Sequence, residues 1–413
     1  MVELNNIPVV IISMSRWDGD YSSTSWSLAK TFSKDRIVIY VDYPYTWTEY
    51  LRKRTHPAVV KRKKALFGRE NGLIRLKQYS DNLYGLTPPL MVPVNWLPKG
   101  NIYDRFSTMT DKNLWKTIKN ALRELGQEEF ILFNAFNPLY LSVPPKDPSL
   151  KAAVYQSQDN IRALEAYLRK HGKEAEVIAI QNAHLSIATS KQLQKDLMEL
   201  SGRPVEYLPN AADYDLFKKA FTDPNDKPGD LVGISGPIIG YTGNICHRLD
   251  YELMRAICKN HPDKNLVMVG PRNHEGHTDI DLNAIPNLHF LGPKRLEELP
   301  FYLAHFDVLI LPFLINEVTK SIYPLKINEY LASGKPVVAT PFSEDIRTFG
   351  KWISLEDDHQ RFSAAIQKEL EGDSLEKRKA RNQIASKNTW EDRAAIFWRL
   401  LQAAMEMKGG RRS

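Results

Sequence analysis

The sequence predicts an α/β protein built of two doubly wound, Rossmann-like domains facing across a cleft. Three observations carry that prediction. Short apolar runs alternate with segments of helical period; the alternation breaks once, after about residue 208, in a stretch rich in Pro, Gly and Asp; and it then restarts. At 413 residues the chain also exceeds what one hydrophobic core usually serves.

In the first half, IPVVIISM, RIVIYVD, EEFILFN, KAAVY and LSIATS read as strands buried on both faces, as parallel sheets require. Helices are predicted over Asp111–Leu125 and Ser190–Leu200, the latter with Ser190 as N-cap. PNAADYDLFKKAFTDPNDKPGDLVGISGP then reads as a domain connection. Strands resume at PIIGYTG, KNLVMVG, NLHFLG, FDVLILPF and KPVVAT. Domains are expected over residues 1–208 and 209–388. Ligands of such sheets bind beyond the carboxyl ends of the strands, which points to the cleft.

Composition narrows the class. Hydrophobic residues at 43% and charged residues at 25% suit a soluble globular protein. No apolar run approaches the roughly 20 residues of a spanning helix. The N-terminus lacks a basic region before its apolar run, so it does not read as a secretion signal. Two cysteines, Cys246 and Cys258, make neither a disulfide framework nor a four-ligand zinc site, and a reducing cytoplasm is the simplest setting. The net charge is +7, and the run RKRTHPAVVKRKK at 52–64 contains no acid. It reads either as a solvated face or as a patch for anionic lipid or a polyanionic acceptor. Nucleic acid is disfavoured, since few aromatics interleave and no binding motif accompanies the run.

The most informative segment is SIYPLKINEYLASGKPVVATP, residues 321–341. Pro324 suits the first turn of a helix and Gly334 its end, with the strand PVVAT following. Lys326 and Glu329 stand three apart and share a face. Free first-turn amides with Lys326 beside them suit a diphosphate, and a carboxylate one turn on suits the hydroxyls of a ribose. An amphipathic helix with a surface Lys–Glu pair is the plainer reading.

This segment resembles the donor-binding signature of GT-B glycosyltransferases of the GT4 group, in which a Glu–(seven residues)–Glu motif precedes a Gly-x-Pro-Val-Val strand. The variant here is closer to the teichuronic-acid-type and glucuronosyltransferase-like branches. The resemblance implies a GT-B fold and a donor-binding set of Tyr323, Leu325, Lys326 and Glu329, with Lys326 on the phosphates and Glu329 on the ribose. The first Glu falls on Ser321, which leaves the stereochemistry of transfer open.

Other segments match in order. YLPNAADYDLF resembles the family's interdomain turn, with Asn210, Asp213 and Phe217 in register and Ala211 replacing a Gly. In PIIGYTGNICHRLDYELM, Gly240 and Gly243 would admit backbone amides to a phosphate, and Arg248 is either a second cation or a surface residue. Neither GxGxxG nor a Walker A sequence occurs. NTWEDRAAIFWRLL resembles a terminal helix, here 389–408, that returns to the first domain. Near the N-terminus, Arg16, Trp17 and Asp18 follow the first strand. They are candidates for the acceptor, with Trp17 either stacking on a sugar ring or packing in its loop. In AVYQSQDNIRALEAY the family's acids are replaced at Gln156 and Asn160 but kept at Asp159, whose implied role is general base, with helix N-cap as the alternative.

Three Asp-x-Asp triplets (Asp18–Asp20, Asp213–Asp215, Asp279–Asp281) do not sit where a metal-dependent transferase needs one, and His274 with His277 suggests an exposed turn. No metal and no cofactor are expected. The predicted reaction moves a sugar from a nucleotide-diphosphate donor, UDP favoured, to a saccharide or lipid-linked acceptor, at or near the inner membrane face. A nucleotide-sugar epimerase and a non-catalytic binding protein are the alternatives.

Overall fold

The computed structural model describes residues 4, 6–19, 23–94, 96–161, 168–223, 226–273 and 280–409. The chain divides into two compact units. One comprises the residues up to Leu208 with those from Ala394 onward; the other is Pro209–Arg393.

The first unit holds an eight-stranded sheet in the order β3-β4-β2-β1-β5-β6-β7-β8. The strands are β1 (Val9–Ser13), β2 (Val38–Val41), β3 (Leu73–Arg75), β4 (Leu83–Leu86), β5 (Phe130–Ala135), β6 (Leu150–Ser157), β7 (Leu185–Ala188) and β8 (Glu206–Tyr207). Every pairing is parallel except β3 with β4. β1 and β5 are buried along their whole length, which is why they read as continuous apolar runs. Connections run outward in opposite directions from β1, so the topological switch lies between β1 and β5.

Helices α1 (Thr24–Phe32), α2 (Trp47–Lys53), α3 (Pro57–Val60), α4 (Lys63–Leu66) and α5 (Asn101–Glu124) belong to this unit. In α5, Leu114, Ile118, Ala121 and Leu122 recur at helical spacing and pack against Val10, Ile39 and Leu132. The helix starts ten residues before the predicted Asp111. Its first turns are largely exposed, and the helical spacing of Ile102, Phe106 and Met109 there was a signal that the prediction left unused. Ser190 caps the Lys191–Ser201 helix as predicted, its hydroxyl accepting from Leu193 N–H at 3.2 Å. Phe397, on the Trp390–Gly409 helix, packs its ring 5.0 Å from Phe32 and 5.1 Å from Phe133.

The second unit holds a six-stranded, all-parallel sheet in the order β11-β10-β9-β12-β13-β14. Its strands are β9 (Ile238–Thr242), β10 (Asn265–Val269), β11 (Leu288–Gly292), β12 (Val308–Leu311), β13 (Val337–Ala339) and β14 (Ser354–Leu355). Here the switch lies between β9 and β12, so a ligand is expected past Thr242 and Leu311. Asn210, Asp213 and Phe217 are structural in this unit. Asn210 donates to the Tyr323 carbonyl at 3.2 Å, Asp213 caps the Tyr214–Phe217 helix, and Phe217 lies in the core.

Candidate functional site

The first turn beyond β9 is made by glycine out of necessity. Gly243 has φ +133°, a conformation side chains rarely adopt, and its N–H donates to the Val269 carbonyl at 2.7 Å. Gly270, at the end of β10, packs on it so closely that a Cβ there would meet the Gly243 carbonyl oxygen at 1.9 Å. Tyr330 fixes the end of β9, its hydroxyl accepting from Thr242 N–H at 2.8 Å.

The helix Leu325–Ala332 opens beside this turn. Pro324 takes the N-cap, one position earlier than predicted, with extended backbone and no side-chain cap. Gly334, at φ +70°, ends the helix. Ile327, Asn328, Tyr330 and Leu331 form its buried face, while Lys326 and Glu329 are half-buried. The Lys326 side chain lies against Gly243, where a Cβ would come 2.3 Å from the ammonium nitrogen. Neither Lys326 nor Glu329 has a hydrogen bond or ion pair through its side chain among the described residues. Burial pushes the Glu329 carboxyl above the usual carboxylate range, with the Lys326 charge pulling the other way. A lysine and a carboxyl without a side-chain hydrogen bond among the described residues thus stand on one helical face, at a helix N-terminus beside a glycine turn. That is the chemistry of a diphosphate and ribose site.

The remaining predicted donor residues separate. Leu325 opens the helix and contributes its first amide. Arg248 is half-buried in the loop after β9, and its carbonyl accepts from Leu314 N–H at 2.9 Å. Gly240 must be corrected: it lies inside β9 and a Cβ there would meet the Phe306 ring at 2.0 Å, so its smallness serves core packing rather than a phosphate. Tyr323 is likewise corrected to a structural role, being buried with its hydroxyl bonded to Asn328 at 3.1 Å. Ser321, where the family's first acid would stand, is fully buried and its hydroxyl has no partner among the described residues.

In the first unit, Arg16, Trp17 and Asp18 do follow β1, but their side chains are engaged internally. Arg16 forms a two-pronged pair with Glu49 (2.9 and 3.2 Å), donates to the Tyr43 carbonyl and covers the Tyr45 ring at 3.4 Å. Trp17 packs against Gly85, where a Cβ would meet its indole at 2.7 Å. Lys61 and Arg62 lie over its ring at 4.5 and 5.0 Å. Asp18 pairs with Arg62 at 2.7 Å and with Lys61. Burial alone would raise its pKa, yet these two cations hold it below the usual range. Buried Asp42 takes Arg62 at 2.8 Å and the Thr87 hydroxyl at 2.7 Å. Gly85, Lys61 and Arg62 thus surround the Trp17 ring, and the charges of Arg16 and Asp18 are matched by protein partners.

Asp159 sits two residues past β6, half-buried, and its carboxylate accepts Asn160 N–H at 2.8 Å. Residues 162–167, on which the helix-cap alternative depends, lie outside the described residues, as do Asp20, His274, His277 and Asp279. Among the described residues no three His, Cys, Asp or Glu side chains gather into a metal-holding group.

Sequence reading missed a second polar assembly at the β1/β5 switch. Asn137 donates to the Ser13 carbonyl at 3.0 Å, and Asn134 holds the Asn137 and Tyr140 carbonyls. Phe136 and Leu141 adopt positive φ, and the Leu141 N–H is taken by Asp111 at 2.9 Å. Burial pushes the Asp111 carboxyl up to about 6, against that hydrogen bond. A pair of nearby asparagines after an apolar strand was the available signal.

Residues 236–371 match the family described as glycosyl transferases group 1. The matched residues include β9 to β14, the Gly243 turn, Lys326 and Glu329. TuaH of Bacillus subtilis strain 168, whose name assigns it to teichuronic acid biosynthesis as a glycosyltransferase, is 31% identical over 250 residues. The match covers 58% of this chain and 62% of TuaH, so this chain spans less than two thirds of that relative. Sucrose-phosphate synthase from Thermosynechococcus elongatus has a similar structure, with TM-score 0.67 at 16% identity, over 97% of this chain and 100% of that one. Anabaena HepE, solved with UDP and glucose, has TM-score 0.60 at 16% identity over 97% and 99%. These likenesses establish the fold alone: it is GT-B.

Proposed function

We propose that this protein is a glycosyltransferase that moves a sugar from a nucleotide-diphosphate donor, UDP-sugar favoured, to an acceptor hydroxyl in surface polysaccharide or glycolipid synthesis. One observation carries the reading: Lys326 lies over the Gly243 turn at the switch point of the second sheet, with Glu329 one turn further along its helix, and neither side chain has a hydrogen bond or ion pair among the described residues. The group 1 match that contains them and the likeness to TuaH support it.

In this reading Lys326 and the first amides of its helix take the diphosphate. As the sugar departs, negative charge grows on the phosphate oxygens, and preorganised donors stabilise it most effectively. Arg248 adds a second cation. Glu329 accepts the ribose hydroxyls and so fixes the position of the anomeric carbon. Asp159 takes the acceptor proton, an effect typically worth about 10²–10⁴-fold. The charge is met by Lys326, Arg248 and amides, so the scheme needs no metal and no cofactor.

The proposal includes work on a saccharide or lipid-linked acceptor at the cytoplasmic face of a membrane, with residues 52–64 touching anionic lipid. No helix among the described residues is long and apolar enough to cross a bilayer. Cys246 and Cys258 are free and buried, which suits a reducing compartment.

The test is thermal shift with a panel of nucleoside diphosphates on wild type and Glu329→Ala. A ligand at about 100 times its dissociation constant stabilises by about 2.7 kcal/mol. Stabilisation of the wild type by one diphosphate, lost in the variant, is the expected result; no stabilisation by any of them overturns the donor site.

A further inference from the structure

The run 52–64 folds into α2, α3 and α4, and its charges do not all face outward. Lys53 pairs with Glu49, Lys61 with Asp18, Arg62 with Asp18 and Asp42, and Lys64 with Glu70. Arg62 is buried. Arg52, Arg54 and Lys63 remain exposed, with no side-chain partner among the described residues. Three cations at roughly fivefold each in affinity for an anionic surface give about a hundredfold, too little for stable attachment.

The same helices display apolar side chains where a soluble surface has no use for them. Leu51 is 60% exposed, Val60 53%, Trp47 44% and Phe67, just after α4, 39%. Trp47 and Leu51 are four apart on α2, and the Trp47 and Phe67 rings meet edge-on at 5.7 Å, so these three form one patch. The display is held in place from beneath. Tyr45, Val59 and Leu66 form a small core of their own, with Tyr50 and Leu90 against it. Leu90 N–H donates to the Leu66 carbonyl and Trp47 N–H to that of Met91, while Arg62 ties α3 and α4 to Asp42 beside the sheet. The nearby acids Glu49 and Glu70 are both paired.

We propose that this platform is an interfacial anchor for an anionic lipid bilayer, in which Trp47, Leu51 and Phe67 enter the headgroup layer. Arg52, Arg54 and Lys63 engage the lipid charge. Binding then rests on two signals, apolar insertion and electrostatic attraction, neither sufficient alone. A soluble polyanion would use the cations and leave the apolar patch idle. A second copy would cover the patch but bring like charges together. The inference deepens the membrane contact in the function proposed above and is independent of the donor site.

The experiment is co-sedimentation of the full chain with vesicles of phosphatidylcholine alone or with 30 mol% phosphatidylglycerol, taken as about a third anionic lipid. It compares wild type, Trp47→Ser/Leu51→Ser and Arg52→Gln/Arg54→Gln/Lys63→Gln, all exposed positions whose replacement leaves the core intact. Wild type is expected to bind the anionic vesicles and to retain part of that binding in high salt. The apolar double variant loses the salt-resistant part, at least about tenfold in affinity, and the cation variant loses the preference for anionic lipid. Equal binding to both vesicles by wild type, or unchanged salt-resistant binding by the double variant, overturns the anchor. Full displacement by a soluble anionic polysaccharide assigns the surface to a polyanion instead. Lipid-free dimerisation abolished by the double variant assigns it to a second copy. Diphosphate-dependent thermal stabilisation, read on the same samples, persists in both variants if only the anchor is wrong, and is missing from wild type if only the donor site is wrong.

Discussion

The Lys326 side chain occupies the space that a Cβ on Gly243 would need: that atom would lie 1.8 Å from Lys326 Cε. The glycine and the lysine are therefore one device, joining a turn only glycine makes easily to a cation held over it. Gly243→Ala is expected to displace the ammonium and strain the turn at φ +133°. Its dissociation constant for a nucleoside diphosphate should rise at least tenfold, about 1.4 kcal/mol, with a lowered melting temperature. Lys326→Ala should weaken binding comparably while melting near wild type. Calorimetric titration of both checks this; unchanged affinity in both removes Lys326 from the diphosphate.

Burial of Glu329 outweighs the Lys326 charge beside it. Its carboxyl pKa is raised in the folded state, so the folded chain keeps a proton that the unfolded chain releases as pH rises. Stability therefore falls as pH climbs through the carboxylate range to the raised value. Glu329→Gln removes this cost. The ligand-free variant should match wild type below about pH 4 and exceed it at neutral pH, while losing diphosphate-dependent stabilisation. Thermal melts across pH, with and without UDP, test both halves. A less stable variant at neutral pH would contradict the first.

Asp159 separates chemistry from binding. Asp159→Asn should lower turnover by about 100-fold or more and leave donor affinity within about twofold. Single-turnover rates alongside diphosphate titration measure the two. A large loss of donor affinity would move the residue out of the base role.

Asp111 gives a pH signature in the first unit. Its ordinary pKa of 3.8 is raised to about 6 by burial. Between those values the folded state holds the proton and the unfolded state does not, so stability decreases as pH rises through the interval and stays lower above it. Asp111→Asn keeps an acceptor for Leu141 N–H. It should therefore gain stability above pH 6, with roughly 3 kcal/mol as an upper bound, and none near pH 4. Urea unfolding at pH 4 and pH 7 checks the difference.

The principal strands and the helix bearing Lys326 and Glu329 were legible in the sequence because each is written locally. β1, β5, β9 and β12 are apolar runs since both faces of their sheets are covered. The Leu325–Ala332 helix is punctuated by Pro324 and Gly334, and Lys326 and Glu329 sit three residues apart between them. β3 and β14 escaped notice because they are short edge strands of three and two residues without a clear apolar run.

The sequence by itself determined two runs of β-α alternation, the break between them and a helix face bearing Lys326 and Glu329. Periodicity and punctuation are properties of neighbouring residues. Only the tertiary structure decided which glycine lies under the lysine and which serves packing: Gly243 faces Lys326, 83 positions away, and Gly240 faces Phe306. It likewise turned Arg62 inward out of a basic run, because its partners Asp18 and Asp42 arrive from distant strand ends. Charge and smallness are legible in one dimension, but burial depends on what the fold brings opposite them.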